Sequence, residues 1–153
     1  MDKELVGLAG EYAVASELCR LGFYCQLTLG NRKKTDLLVD SGSNLFRVSV
    51  KSKQKQSWPS VKGIWQSGDL LVFVDYKDKS IGVRPEFYVL DVSLWKKVIK
   101  KKIKELEDPR VCIDGENTLY WPGEEGGKNV WTGCSVSVSD VVEYRENWSV
   151  ITS

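Results

Sequence analysis

Apolar side chains recur at helical spacing from residue 2 to residue 21, and this pattern predicts an N-terminal helix. The periodic positions are Leu5, Leu8, Tyr12, Ala15 and Cys19. Gly22 is a natural end for this helix, because glycine readily takes the left-handed conformation that follows many helices. Gly7 and Gly10 weaken the helix propensity, and an alternative role for them is to let another part of the backbone approach closely. A strand is predicted over residues 23–29.

Two further strands are predicted at residues 35–40 and 45–52, joined by the turn-forming residues 41–44. A hairpin that is symmetric about residues 42 and 43 has one wholly apolar face. Its cross-strand pairs are Leu37 with Val48 and Val39 with Phe46. The other face carries Asp36 opposite Ser49, with Arg47 and Lys51 alongside. A slip of one residue would move the apolar set to the other face, so the pattern favours this register.

The second half of the chain predicts two more strands and a helix. Residues 70–75 form an unbroken apolar run typical of a buried strand, and residues 86–92 predict another strand. Ser93 is the expected N-cap of a helix that ends near residue 107. Trp58-Pro59 is expected to break the chain, and residues 61–66 are ambiguous, with a helical turn as one interpretation. Beyond residue 108 we expect short strands or a small helix packed on the domain.

Composition and charge exclude several classes of function. The chain has 153 residues, of which 42% are hydrophobic, which suits a single domain over residues 1–153. The 22 Lys and Arg residues against 21 Asp and Glu residues give a net charge of +1, so any attraction to DNA must come from a local patch. Histidine is absent, which excludes Ser-His-Asp catalysis, Cys-His catalysis and histidine-ligated zinc.

The four cysteines do not suggest a metal site. Cys19, Cys25, Cys112 and Cys134 form no CxxC pair, so we expect reduced and mostly buried thiols rather than a zinc centre. No segment approaches the ~20 apolar residues of a membrane span, and the N-terminus lacks a secretory pattern. A cytoplasmic location is therefore expected.

A scattered set of charged residues indicates phosphodiester chemistry. Glu11 lies on the predicted first helix, Asp36 opens one strand of the hairpin, and Lys51 lies on the other. Carboxylates are ligands that Mg²⁺ prefers, and the Val50 carbonyl is a further candidate ligand. A lysine at this place orients or deprotonates a water molecule, or stabilises the charge on a phosphate. We expect a Mg²⁺ or Mn²⁺ site formed by Asp36, Glu11 and Val50.

Three segments together resemble the PD-(D/E)XK nuclease superfamily: residues 10–18, 35–39 and 48–51. The resemblance covers roughly residues 5–92 and depends on the order, spacing and strand context of the motifs. It implies an α/β fold with a restriction-endonuclease-like core of αβββαβ order, in which helices flank a mixed central sheet. By this resemblance Glu11 matches the helix glutamate, Asp36 the strand aspartate and Lys51 the lysine of the family.

Position 49 departs from the pattern of that family. The family has glutamate there, or glutamine in some branches, whereas this chain has Ser49. Serine is shorter and neutral, and it is a poorer metal ligand. Ser49 is therefore retained as a candidate catalytic residue that lowers the rate, and a catalytically impaired DNA-binding relative is the alternative hypothesis.

Two basic segments are candidates for contacts with DNA. Their residues are Arg32, Lys33, Lys34, Lys53, Gln54, Lys55 and Gln56. Lysine and arginine contact phosphates, and glutamine can contact adenine edges. The alternative for residues 53–56 is a solvated edge strand protected by its lysines. The lysine-rich helix after Ser93 is better explained as the wet face of an amphipathic helix.

The predicted function is metal-dependent hydrolysis of double-stranded DNA. Cutting both strands requires two active sites, so we expect a homodimer or a higher homo-oligomer such as a tetramer. The small size suits an intron-encoded homing endonuclease, which the residues rich in Lys and Gln favour slightly, or alternatively a Holliday junction resolvase or a restriction-type nuclease. A protein-interaction module without catalysis is a third hypothesis.

Overall fold

The computed structural model describes residues 1–29 and 35–151. Its longer elements are α1 (Lys3–Arg20), β1 (Tyr24–Leu27), β2 (Leu37–Asp40), β3 (Leu45–Lys53), β4 (Ser57–Val61), β5 (Asp69–Asp75), β6 (Glu86–Asp91) and α2 (Val92–Leu106). The C-terminal part contains β7 (Cys112–Ile113), β8 (Leu119–Trp121), β9 (Trp131–Thr132), β10 (Cys134–Ser137), α3 (Val138–Val141) and the 3₁₀ turns Val142–Tyr144 and Trp148–Ile151. None of the helices in these described residues is long and apolar enough to cross a membrane.

A mixed five-stranded sheet forms the centre of the molecule, in the order β1-β2-β3-β5-β6. β3 and β5 run parallel, and the other neighbouring strands run antiparallel. The fold is therefore a mixed α/β structure, as expected. The hairpin register is also as predicted, since Leu37 pairs with Val48 and Val39 pairs with Phe46.

Two hydrophobic layers cover the two faces of this sheet, and the alternation of residues along the strands separates them. On β5, Leu70, Val72 and Val74 face the layer that contains Val14 and Leu18 of α1. The intervening residues, Leu71 and Phe73, belong to the other layer, together with residues of α2, β4 and β10. This two-sided burial explains why β5 is apolar at nearly every position.

The connection between the parallel strands β3 and β5 corrects the expected αβββαβ order. In place of a helix it contains β4, which pairs with β10 from the C-terminal part of the chain. Trp58 and Pro59 lie inside β4 rather than breaking the chain, and Trp58 is fully buried. Residues 62–66 are irregular and do not form a helical turn.

Smaller predictions about helix ends and cysteines need similar corrections. The N-cap of α2 is Asp91, whose Oδ1 accepts from the Leu94 N–H at 2.9 Å, and Ser93 lies inside the helix. All four cysteines are free thiols, but only Cys134 is buried. The expected short strands and small helix at the C-terminus are confirmed by β7–β10 and α3.

Gly10 is where α1 comes closest to the sheet. A Cβ at this position would lie 1.7 Å from the Ser52 Oγ atom of β3 and 2.9 Å from its Cβ. Gly10 therefore does permit a close approach, but its neighbour is the Ser52 side chain rather than another backbone segment as predicted. At Gly7 nothing lies within 4 Å of such a Cβ.

Candidate active site

Asp36 is held in place through its backbone and its carboxylate. Its N–H donates to the Val48 carbonyl at 2.8 Å, and its carbonyl accepts from the Thr28 N–H at 3.0 Å. Its Oδ2 atom accepts from the Val50 N–H at 2.7 Å. These bonds join β1, β2 and β3 at one residue, just before β2 begins at Leu37. The carboxylate therefore has a fixed position at this end of the sheet.

The backbone groups of Val50 face the β2 side of β3, at a level before the start of β2. Along β3 the Arg47 N–H donates to the Gly68 carbonyl on the β5 side, whereas the Val48 carbonyl accepts from Asp36 on the β2 side. Because backbone groups alternate sides along a strand, those of Val50 lie on the β2 side as well. The N–H is taken by Asp36, and the carbonyl oxygen of Val50 lies on the same side of β3.

Glu11 lies on α1 directly after Gly10, at the margin of the helix face that packs on β3. Its carboxyl is half-buried, and its pKa is raised above the ordinary value. The largest cause is burial, followed by repulsion from the Asp36 carboxylate, while attraction to Lys51 acts in the opposite direction. Glu11 is thus close enough to both Asp36 and Lys51 for their charges to shift its pKa.

Ser49 is buried, with 7% of its surface exposed. It lies on β3 between Val48 and Val50 and belongs to the face covered by the second hydrophobic layer. The regular hairpin ladder ends at the Leu37–Val48 pair, and beyond it the Asp36 N–H donates to the Val48 carbonyl, so the expected Asp36–Ser49 pair is not part of the ladder. A short buried hydroxyl at this position supplies less oxygen-donor capacity than a carboxylate or an amide.

The donor set at the site is small. No group of three or more His, Cys, Asp or Glu side chains arranged to hold a metal ion occurs within residues 1–29 and 35–151. Two carboxylates and a backbone carbonyl remain, all of them oxygen donors. A Mg²⁺ ion keeps several water ligands and is often bound through one or two carboxylates, so this donor set still fits Mg²⁺.

Lys53 is the predicted DNA contact that the structure corrects. Its side chain is 2% exposed and pairs with Asp75, with 2.7 Å between Nζ and Oδ1. Nζ also donates to the Lys55 carbonyl at 3.0 Å and lies 4.6 Å from the centre of the Trp58 ring. A buried ammonium group with these partners does not reach a phosphate. Lys53 is a structural residue that joins β3, β5 and β4.

The other predicted DNA contacts have different positions. Gln54, Lys55 and Gln56 are exposed in the turn between β3 and β4. The Gln54 amide donates to the Met1 carbonyl, which fixes the start of the chain beside this turn. Arg32, Lys33 and Lys34 lie outside the described residues.

The segment between β4 and β5 borders the site and was missed by the sequence prediction. Asp69 accepts from the N–H groups of Trp65 and Gln66 through Oδ2 and from Arg47 Nε through Oδ1 at 2.7 Å. A cavity of about 140 Å³ lies between this segment and Thr35, which precedes Asp36. In the sequence, the one sign of this segment was Asp69 at the start of an apolar run. The Arg47–Asp69 hydrogen bond that anchors the segment joins residues far apart in the chain, so no local pattern predicts it.

Comparisons with known proteins leave the family open. No family model matches the chain. A xylose isomerase from Phocaeicola vulgatus is 24% identical over 104 residues, which make up 68% of this chain and 22% of that protein. The chain thus spans about a fifth of the length of the curated relative it matches.

A bacterial homing endonuclease, I-Ssp6803I, is among the similar solved structures. The alignment covers 61% of this chain and 72% of that chain, with 19% sequence identity and a TM-score of 0.44. A likeness of this size is too low to carry a conclusion about fold or activity.

Proposed function

We propose that this chain is a metal-dependent endonuclease that hydrolyses phosphodiester bonds in double-stranded DNA. The observation that carries the proposal is the grouping of Glu11, Asp36 and Lys51 beside the start of β2. Burial and the Asp36 charge raise the Glu11 pKa, while Lys51 lowers it. Perturbed carboxyl groups next to a lysine are a common feature of catalytic sites.

In this proposal Asp36, Glu11 and the Val50 carbonyl hold Mg²⁺ or Mn²⁺. The fit rests on two carboxylates that repel each other at neutral pH and on the position of the Val50 backbone on the β2 side. A bound divalent ion would neutralise charge on the phosphate and favour ionisation of the attacking water.

The remaining chemistry belongs to the protein side chains. The Asp36 carboxylate keeps a fixed orientation because the Val50 N–H occupies its Oδ2 atom. The Lys51 ammonium group is suited to pair with a phosphate oxygen or to orient a water molecule for attack. Half-burial of Glu11 strengthens these electrostatic interactions, since less water surrounds the charges.

The DNA-facing part of the proposal includes Lys55, Gln54 and Gln56 in the turn after β3, and the basic residues 32–34. Double-strand cleavage calls for two sites, so the proposed assembly is a homodimer or a tetramer. Among nuclease classes, the basic and amide side chains near β3 favour a site-specific enzyme of the homing type.

Plasmid cleavage with Mg²⁺ or Mn²⁺ tests the proposal. We expect Asp36→Ala and Lys51→Ala each to lower the cleavage rate at least a hundredfold, because each removes a charge at the reacting phosphate, while the fold is kept. Lys97→Ala on α2 is the matched lysine control and should cleave as the wild type does. Wild-type rates in either Asp36→Ala or Lys51→Ala would refute the assignment of the site.

The burial and small size of Ser49 favour one rival function, a DNA-binding relative without catalysis. Ser49→Gln restores an amide oxygen at this position, and the nuclease proposal expects it to raise the cleavage rate. Binding of DNA without cleavage in both the wild type and Ser49→Gln would support the rival.

A further inference from the structure

A cleft next to the candidate active site has a charged lining made entirely of cationic groups. Its volume is about 410 Å³, and it lies between the start of α1 and the end of β3. The lining includes Lys3 and Val6 of α1, Ser52 and Lys53 of β3, and Lys55 of the following turn. Among residues 1–29 and 35–151, no Asp or Glu side chain lines this cleft.

Two of these lysines have uncompensated charges. Lys53 is neutralised by Asp75, but Lys3 and Lys55 are exposed and form no ion pair with any other residue that the structure describes. Two like charges that converge on one cleft without counterions create a positive potential there. An anion in the cleft would offset their mutual repulsion.

Ser52 forms part of the cleft wall, but its hydroxyl is directed under α1. A Cβ added at Gly10 would lie 1.7 Å from the Ser52 Oγ atom. This hydroxyl is therefore enclosed by the helix, and the case for an anion in the cleft rests on the lysines alone.

The cleft and the candidate active site share two elements. On β3, Lys51 and the cleft residue Lys53 lie on the same face, two residues apart, which is about 6.6 Å along a strand. On α1, Gly10 packs against Ser52 and is followed by Glu11. A DNA backbone whose phosphate contacts Lys51 could therefore run along this end of β3 toward the cleft.

We propose that this cleft binds the DNA backbone at a phosphate next to the one that is cleaved, with Lys3 and Lys55 as the phosphate contacts. The proposal rests on the proposed nuclease function, which it extends by a second phosphate position and by Lys3. In this proposal the turn after β3 also has a positioning role. Its Gln54 amide donates to the Met1 carbonyl and so holds the start of α1, with Lys3, close to Lys55.

The test measures the affinity of a fluorescent 20-base-pair duplex at several salt concentrations, in EDTA so that no cleavage occurs. The Lys3→Gln/Lys55→Gln double variant should bind about tenfold more weakly than the wild type at low salt. The slope of log affinity against log salt should fall in magnitude by about 2, since each lysine on a phosphate contributes about 0.9. Circular dichroism spectra should match those of the wild type.

Lys96→Gln/Lys97→Gln on α2 is the matched control, because it removes the same charge from an exposed surface on the other side of the sheet. It should leave the slope unchanged. Equal slopes for the wild type and the cleft variant, or an equal loss in the control, would overturn the cleft proposal.

The two proposals fail in different ways. A protein that binds DNA through the cleft but does not cleave plasmid in Mg²⁺ keeps the phosphate site and rejects the nuclease. A protein that cleaves in an Asp36-dependent manner, with an unchanged slope in the cleft variant, keeps the nuclease and rejects the phosphate site.

Discussion

At the residue scale, Glu11 shows how a charge at the candidate site lowers the stability of the fold. Its carboxyl is partly removed from water and faces Asp36, so its charged form is disfavoured in the folded protein. Because its pKa is higher in the folded state than in the unfolded state, the folded state binds the proton more tightly. The stability that this provides is present at low pH and is lost as the pH rises through the raised pKa.

Glu11→Gln should therefore raise the melting temperature at pH 7 by a few degrees, since it removes the repulsion with Asp36. Glutamine and glutamate have similar helix propensities, so the comparison isolates the charge. At an acid pH at which Glu11 is protonated, the two proteins should melt at nearly the same temperature. Calorimetry in EDTA at both pH values is the measurement, and an equal gain at both would contradict the electrostatic cause.

At the element scale, the packing of α1 on β3 depends on Gly10, although a glycine at this position weakens the helix itself. An added Cβ at Gly10 would collide with Ser52, whereas one at Gly7 would meet nothing. Both residues weaken α1 by about 1 kcal/mol relative to alanine, so only their neighbours distinguish them. The position of Glu11 follows from this close contact, because Glu11 is the next residue on the helix.

Gly7→Ala should stabilise the protein by about 1 kcal/mol through helix propensity alone. Gly10→Ala should instead destabilise it, because overpacking costs about 1–3 kcal/mol and the neighbouring backbone of β3 is fixed in the sheet. Urea denaturation provides both values.

A double-mutant cycle with Ser52→Gly gives the control for this pair. Removal of the Ser52 side chain leaves Val50 Cγ1, at 3.6 Å, as the nearest neighbour of the added Cβ. The penalty of Gly10→Ala should then disappear. An unchanged penalty in the Ser52→Gly background would place the clash elsewhere.

At the scale of the whole molecule, a few polar contacts hold distant parts of the chain against the sheet. Arg84 donates to Glu17 of α1 and to Glu146 near the C-terminus, and its guanidinium group lies 4.8 Å from the centre of the Phe87 ring. The Lys53–Asp75 ion pair joins the parallel strands β3 and β5 and, unlike the contacts of Arg84, it is buried. Removal of one partner of a buried ion pair is strongly destabilising, because the charge that remains is neither paired nor solvated by water.

Lys53→Met should destabilise the protein by about 3–5 kcal/mol, since Asp75 is left as a buried unpaired charge. Lys53→Met/Asp75→Asn removes both charges and should recover most of that loss. Chemical denaturation measures the difference. The double variant should also bind duplex DNA with an affinity close to that of the wild type, and a large loss of affinity would return Lys53 to the DNA contacts.

The sequence alone determined the hairpin, its register and the identity of the charged residues beside it. The alternation of apolar and polar residues in β2 and β3 and the short turn between them are local, so one register buries Leu37 and Val48. The glycines of α1 and the residues Glu11, Asp36 and Lys51 were equally visible as a pattern.

Only the tertiary structure decided what surrounds these residues. The strand β4 exists because β10, from a distant part of the chain, supplies its hydrogen-bond partners. The burial of Lys53 depends on Asp75 and Trp58, and the cleft depends on α1 meeting the end of β3. Contacts between residues that are far apart in the sequence produce no periodic pattern in that sequence. Each such contact is fixed by the packing of whole helices and strands rather than by neighbouring residues.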